Sequence, residues 1–317
     1  MRVLFWGTPE FATPALEALL GEGFDVVGVV TQPDRPVGRS RSKLEPSAVK
    51  RCAIDEGIVT LQPDRPRGEE FIAQLTALEP DVSVVVAYGH ILPKTVIDLP
   101  RLGTVNIHAS LLPALRGAAP IQAAIRQGLT ETGVTIMRMV QALDAGPMIL
   151  QVATPIVEDE TYGELALRLS EMGALACVEA LALVEMGKAA EEEQDDALAT
   201  YAPKIDRAAT SIDWNASAID VNRMVRAYDP RPGALARLRD QDVKLYGAKL
   251  APRAADQPPG SVTSIDERGF VIACGEGAVQ IAAVQPSGKR RMSPADWGRG
   301  RGVVVGDRFT SFAREPE

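Results

Sequence analysis

Valine-rich apolar runs alternate with helical patterns over the first 150 residues and leave few folds open. Residues 2–6, 25–30 and 81–87 (Asp-Val-Ser-Val-Val-Val-Ala) are short, apolar and bounded by turn residues, as strands buried on both faces are. Between them, residues 11–20, 46–56 and 69–78 space apolar side chains for helices, and further strands are expected at 103–108 and 133–140. Strand–helix alternation of this kind predicts an α/β fold with a Rossmann-like, mostly parallel sheet flanked by helices. A helix rich in Ala, Leu and Glu over 161–185 closes it.

The texture then changes. Residues 188–207 are polar and acidic, with Glu191-Glu192-Glu193-Gln194-Asp195-Asp196 at their centre, and read as a linker. Beyond a helix at 216–227, short strands at 243–246, 260–265, 269–273 and 278–283 are punctuated by glycine and proline. They suggest a small β-barrel of oligonucleotide-binding (OB) type. The expected organisation is a first domain over 1–187, a linker over 188–207 and an OB-like domain over 208–317, which suits a chain of 317 residues.

Composition excludes several classes. No run approaches the roughly 20 apolar residues a membrane span requires. The start, Met1-Arg2-Val3-Leu4-Phe5-Trp6-Gly7, lacks the apolar region and cleavage site of a signal peptide. Cys52, Cys177 and Cys274 are far apart and outside any CxxC pair, which argues against a disulfide framework and against a zinc site. A cytoplasmic monomer without a membrane partner or metal is the expectation. A net charge of −8 argues against an indiscriminate nucleic-acid binder. Yet residues 34–50 carry five basic and two acidic side chains, and residues 289–308 carry six and two. These two segments keep a polyanionic partner open.

Candidate chemistry is confined to few residues. The turn Gly7-Thr8-Pro9-Glu10-Phe11 follows the first strand but lacks GxGxxG, and no acidic residue stands at the ribose position after the second strand. A nicotinamide enzyme is therefore disfavoured, and a tight strand-to-helix turn is the expected role. The two histidines are His90, after Ala87-Tyr88-Gly89, and His108. If 103–108 is a strand, its period of two puts Asn106 and His108 on one face. Ser110-Leu111-Leu112-Pro113 then starts a loop with an apolar wall. Asp144, in Leu143-Asp144-Ala145-Gly146-Pro147, would by itself be only a turn residue.

It does not stand by itself. Asn-x-His-x-Ser-Leu-Leu-Pro (106–113), Arg-Gly-Ala-Ala-Pro-Ile-Gln (116–122), Glu-Thr-Gly-Val-Thr-Ile-Met (131–137) and Leu-Asp-x-Gly (143–146) resemble, in order and spacing, the folate-dependent formyltransferases. Gly7–Phe11, Thr31-Gln32-Pro33-Asp34-Arg35-Pro36-Val37-Gly38-Arg39 and Gln285-Pro286-Ser287-Gly288-Lys289-Arg290-Arg291-Met292 are similar to the branch acting on charged initiator tRNA. The resemblance covers nearly the whole chain. One departure is Arg39-Ser40-Arg41-Ser42-Lys43, where glycine with paired lysines is common.

The resemblance implies transfer of a formyl group from 10-formyltetrahydrofolate to the α-amino group of methionyl initiator tRNA, with no metal. An α-amino group has a pKa near ~8, so much of it is already nucleophilic at neutral pH. The harder demands are charge on the formyl oxygen and a proton for the departing folate nitrogen. By the resemblance Asn106, His108 and Asp144 are catalytic. Asn106 would donate to the oxygen, and a protonated His108 would add a donor and supply the proton. Asp144 would either orient the ring and raise its pKa or take the amine's proton, and the sequence leaves both open. Ser110, Leu111, Leu112 and Pro113 would line the folate pocket, with residues 140–143 as part of its wall. Arg39, Arg41 and Lys43 in the first basic segment, and Lys289, Arg290 and Arg291 in the second, would meet the tRNA. A non-catalytic RNA-binding protein would explain the basic segments but leave Asn106, His108 and Asp144 without a role.

Overall fold

The structure is a computed structural model that describes residues 1–37, 43–252 and 257–311. It divides into two units. One takes Met1–Gly117, Glu131–Thr154 and Ala166–Tyr201, and the other takes Ala118–Thr130, Pro155–Leu165 and Ala202–Glu317. In chain order the first elements are β1 (Arg2–Gly7), α1 (Thr13–Gly21), β2 (Asp25–Val30), β3 (Arg35–Val37), β4 (Lys43–Glu45), α2 (Ala48–Asp55), β5 (Thr60–Leu61) and α3 (Glu69–Ala77). There follow β6 (Val82–Val86), α4 (Lys94–Ile97), β7 (Thr104–His108), α5 (Pro120–Gln127), β8 (Glu131–Arg138), β9 (Met148–Pro155) and α6 (Tyr162–Glu185).

Seven strands form the sheet of the first unit in the order β5-β2-β1-β6-β7-β8-β9. Pairing is parallel from β5 to β7, as the alternation predicts, and β8 then runs antiparallel to β7. The central strand β6 is buried along its whole length, and β1 along all but Arg2, which is why both read as unbroken apolar runs. Trp6 centres the core on one face, edge-on to Tyr88 (5.2 Å) and Phe71 (6.1 Å). Its indole N–H donates to Ser83 Oγ at 3.2 Å, so burial leaves no orphan donor there. Gly7 makes the expected tight turn: a Cβ there would lie 2.8 Å from the Ala12 methyl. The acidic segment expected as a linker packs against this unit as far as Tyr201, since its polar groups find backbone partners there.

The second unit contains α5, α7 (Ala218–Ala227), β10 (Ala234–Leu238), β11 (Gln241–Ala251), β12 (Val262–Asp266), β13 (Gly269–Ala273), β14 (Ala278–Pro286), α8 (Pro294–Arg299) and β15 (Phe309–Thr310). Its sheet runs β12-β13-β14-β11-β10-β15 with antiparallel pairing. The two outer strands curl together: Val262 N–H donates to Asp307 O and Phe309 N–H to Gly260 O, both at 2.8 Å. The small barrel expected from the sequence is thus present, filled by Phe270, Phe309, Trp214 and Trp297. Ser217 and Ser293 cap α7 and α8 by accepting from the N–H three residues on.

Candidate active site

β7 carries the site. Asn106 pairs with Val85 of β6 on one side and Met137 of β8 on the other, and His108 pairs with Thr135. The expected alternation holds, so Asn106 and His108 share a face with Thr135 and Met137, while Val105 and Ile107 are buried on the other.

His108 is 5% exposed. Its Nε2 lies 3.0 Å from Leu115 O, and its Nδ1 lies 3.7 Å from Asp144 Oδ2. A carbonyl only accepts, so Nε2 carries the hydrogen, and in the neutral ring the bare Nδ1 faces the carboxylate. Burial pushes the imidazole pKa below its ordinary value; the Asp144 charge and the Leu115 carbonyl pull upward without overcoming it. Asp144 thus raises the pKa as expected, but loss of water around the cation outweighs its neighbours.

Asp144 reaches His108 by a detour. β8 ends at Arg138, opposite Val105 and away from His108, so residues 139–147 must double back. Gly146 permits it, since a Cβ there would lie 1.9 Å from Arg138 O. Asp144 itself sits at φ 49°, a left-handed conformation that aspartate tolerates better than most residues. Its Oδ2 accepts from Gly117 N–H at 2.8 Å, and its carbonyl accepts from Gln194 Nε2 at 2.9 Å.

The Ser110–Pro113 block is tied inward. Leu112 N–H donates to Thr135 Oγ1 (3.1 Å), Leu112 O accepts from Gln151 Nε2 (2.8 Å), and Ser110 Oγ donates to Ala114 O (2.6 Å). Ser110 and Leu112 are buried, and Leu111 and Pro113 half-buried. Exposed apolar side chains include Ile91, five residues beyond the carboxyl end of β6, and Val140 and Leu143 in the 139–147 loop. The sequence reading included 140–143 but passed over Ile91; its signal was an isoleucine beside His90 at the carboxyl end of a buried strand.

Of the basic residues, Arg39 and Arg41 lie outside the described residues, and Lys43 is exposed on β4. Asp34 anchors the root of the β3–β4 hairpin, accepting from Lys50 Nζ and Gln62 Nε2 at 2.8 Å, and these bonds hold its carboxyl below the usual range. Lys289 and Arg290 are exposed after β14. Arg291 is committed locally, stacked 4.0 Å over the Tyr246 ring and paired with Asp229 at 3.3 Å. Among the described residues no His, Cys, Asp and Glu cluster suits a metal, and no helix is long and apolar enough to cross a membrane.

A family model described as formyl transferase matches residues 1–181, and one described as formyl transferase, C-terminal domain, matches residues 204–302. The chain is 50% identical over 314 residues to a methionyl-tRNA formyltransferase of Aromatoleum aromaticum, covering 99% of this chain and 98% of that one. It is 49% identical over 290 residues to one of Pseudomonas putida, covering 91% and 93%. Among solved structures, HypX from Aquifex aeolicus in complex with tetrahydrofolic acid superposes over 99% of this chain with a TM-score of 0.71 at 20% identity; the chain spans 51% of HypX. The sugar 3N-formyl transferase WlaRD superposes with a TM-score of 0.63 at 18% identity, covering 92% of this chain and 99% of that one. At such identities what is shared is the fold.

Proposed function

The chain belongs to the methionyl-tRNA formyltransferase branch of the formyl transferase family, and from that premise we propose that Asn106, His108 and Asp144 carry its chemistry. The reaction moves the formyl group of 10-formyltetrahydrofolate to the α-amino group of methionyl initiator tRNA, giving N-formylmethionyl-tRNA for translation initiation.

The observation that carries the site reading is the convergence on one sheet face of the Asn106 carboxamide, the His108 imidazole and the returning Asp144 carboxylate. Asn106 donates its amide hydrogens to the formyl oxygen as negative charge grows there, an interaction typically worth roughly 3–4 kcal/mol. His108 rests neutral, with Nε2–H fixed on Leu115 O. A proton released by the attacking amine is taken up at Nδ1, where the Asp144 carboxylate stabilises it, and is returned to the departing folate nitrogen. Of the two roles left open for Asp144, the gap of 3.7 Å favours support of the imidazolium. The folate supplies the activated formyl group, and the apolar side chains of Ile91, Val140 and Leu143 suit its ring as a wall, with the 110–113 block as a rigid floor.

For the tRNA we assign Arg39, Arg41 and Lys43 to the acceptor end and Lys289, Arg290 and Arg291 to the phosphates. The catalytic residues fall in 1–187 and the barrel in 208–317, which supports a division into catalytic and tRNA-binding parts. We read the protein as cytoplasmic, since its substrate is a charged tRNA, and as a monomer, which sedimentation at working concentration checks. Formyl transfer assayed on charged initiator tRNA against free methionine, in the unmodified chain and in His108→Ala and Asn106→Ala, tests the whole reading. Near-normal turnover in both variants under saturating substrates would remove these residues from the mechanism.

A further inference from the structure

We propose that Gln194, braced by Arg116, is a positioning residue that sets Asp144 against His108. The proposal rests on the reading that Asp144 and His108 act in the transfer. The 139–147 loop doubles back without a strand partner at its tip, so its carbonyls need donors from elsewhere. Two of them, Asp144 O and Gly146 O, accept from a single group, Gln194 Nε2, at 2.9 and 2.8 Å. The other end of that amide accepts from Arg116 Nε at 3.0 Å and Nη2 at 2.8 Å. Guanidinium donors on one side and carbonyl acceptors on the other fix which end of the amide is oxygen.

Arg116 is nearly buried, and its charge is answered by Asp196 Oδ1 at 2.8 Å, two residues beyond Gln194. The segment is also pinned at both ends. Glu192 exchanges backbone hydrogen bonds with Met148 at 2.8 and 2.9 Å, while Thr200 Oγ1 accepts from Leu115 N–H and Thr200 O from Arg116 N–H, both at 2.9 Å. Leu115 is the residue whose carbonyl holds His108 Nε2. One strap, residues 192–201, therefore grips the turn bearing Asp144 and the residue fixing the imidazole. Nothing in the proposed proton path passes through Gln194, so its effect is on geometry.

Gln194→Glu keeps a partner for Arg116 but replaces the two donated hydrogens with a carboxylate facing carbonyls; Gln194→Met keeps the volume and removes both functions. Misplacement of a reacting group by about 1 Å can cost about 100-fold. In the full-length protein, with 10-formyltetrahydrofolate and charged initiator tRNA as substrates, both variants should lose about 10- to 100-fold in kcat. KM for each substrate should stay within about twofold, and activity should be normalised to folded protein by thermal melting. Asp144→Asn is measured alongside. If Asp144→Asn is severely impaired and either folded Gln194 variant keeps kcat within twofold of wild type, positioning by Gln194 is overturned while the site reading stands. A loss confined to KM, or one that only tracks the folded fraction, overturns it equally. If Asp144→Asn itself turns over normally, the underlying site reading fails first.

Discussion

His90 and His108 are the two histidines of the chain, so imidazole titration can be followed one residue at a time. Asp144→Asn preserves shape and removes the charge facing His108 Nδ1. Opposite unit charges 3.7 Å apart attract by roughly 4 kcal/mol at an effective dielectric of about 20. At about 1.4 kcal/mol per pKa unit that is a ceiling of about 3 units, and solvent at the rim of the site brings the expected fall to about 1–2. The midpoint of His108, already below the ordinary imidazole value because of burial, should drop further in Asp144→Asn. The measurement is NMR of 15N-labelled imidazoles in a His90→Gln background. Stability gives a second readout, with its sign fixed by linkage. The folded-state pKa lies below the unfolded one, so the unfolded chain binds the extra proton between them. The contribution to stability is complete above about pH 6.5 and declines as pH falls toward the folded value, by at most about 1.4 kcal/mol per pH unit. Asp144→Asn should carry that decline to lower pH. A His108 midpoint at or above about 6.5 in the unmodified protein, or one that does not move in Asp144→Asn, would refute this electrostatic account.

Three further outcomes are expected. His108→Ala should lower turnover by about 10²–10⁴ and Asn106→Ala by about 10²–10³, with tetrahydrofolate affinity little changed in either; single-turnover kinetics beside a binding titration separates the two effects. Gly146→Ala forces a methyl to 1.9 Å from Arg138 O, so the loop must shift; melting should show a loss of about 1–3 kcal/mol with impaired kcat, and an unchanged melt would contradict the packing. Lys289→Ala and Arg290→Ala should each flatten the slope of log tRNA affinity against log salt by about 0.7–0.9, and Arg291→Ala by less, because its charge is already shared with Asp229 and Tyr246. Slopes equal to wild type for all three would remove this strip from tRNA binding.

What the sequence made legible followed from how completely a segment is buried. β1, β2, β6 and β7 lie inside the sheet and are mostly buried, so the sequence pattern located them within a residue or two. β9, beyond β8 at the sheet edge, alternates half-buried and exposed positions and went unnoticed, as did the short β3–β4 hairpin, β10, β15 and α8. Asn106 and His108 were legible because a strand's period of two is local information. Asp144 was legible only through its motif, since no local rule says that a loop leaving the far end of β7 returns. Gln194 and Thr200 were missed because an acidic run reads as solvated surface; the available signal was one neutral amide inside five carboxylates.

The reversal of β8 explains why that strap is needed at all. Were β8 parallel to β7, the loop after it would emerge at the carboxyl end beside His108, and a short turn would deliver an acid there. Running antiparallel, it ends opposite Val105, so the acid must be carried back along the sheet face by a nine-residue loop. That loop bonds to strands at its two ends, where Met139 N–H donates to Thr104 O and Pro147 O accepts from Arg138 N–H. Such a stretch has too few backbone partners of its own to fix a side chain to a fraction of an ångström. Glycine at 146 lets it approach Arg138 O closely, and Gly117 N–H donates to the carboxylate. Two of its carbonyls, Asp144 O and Gly146 O, are met by an amide about 50 residues further along the chain. Asp196, at the end of the acidic run, serves the same end, since it answers the buried Arg116 that orients the amide. Local motif and distant segment are in this sense one device, and substitutions at Gly146 and Gln194 should fail to add in their effect on kcat, because either one releases the same loop.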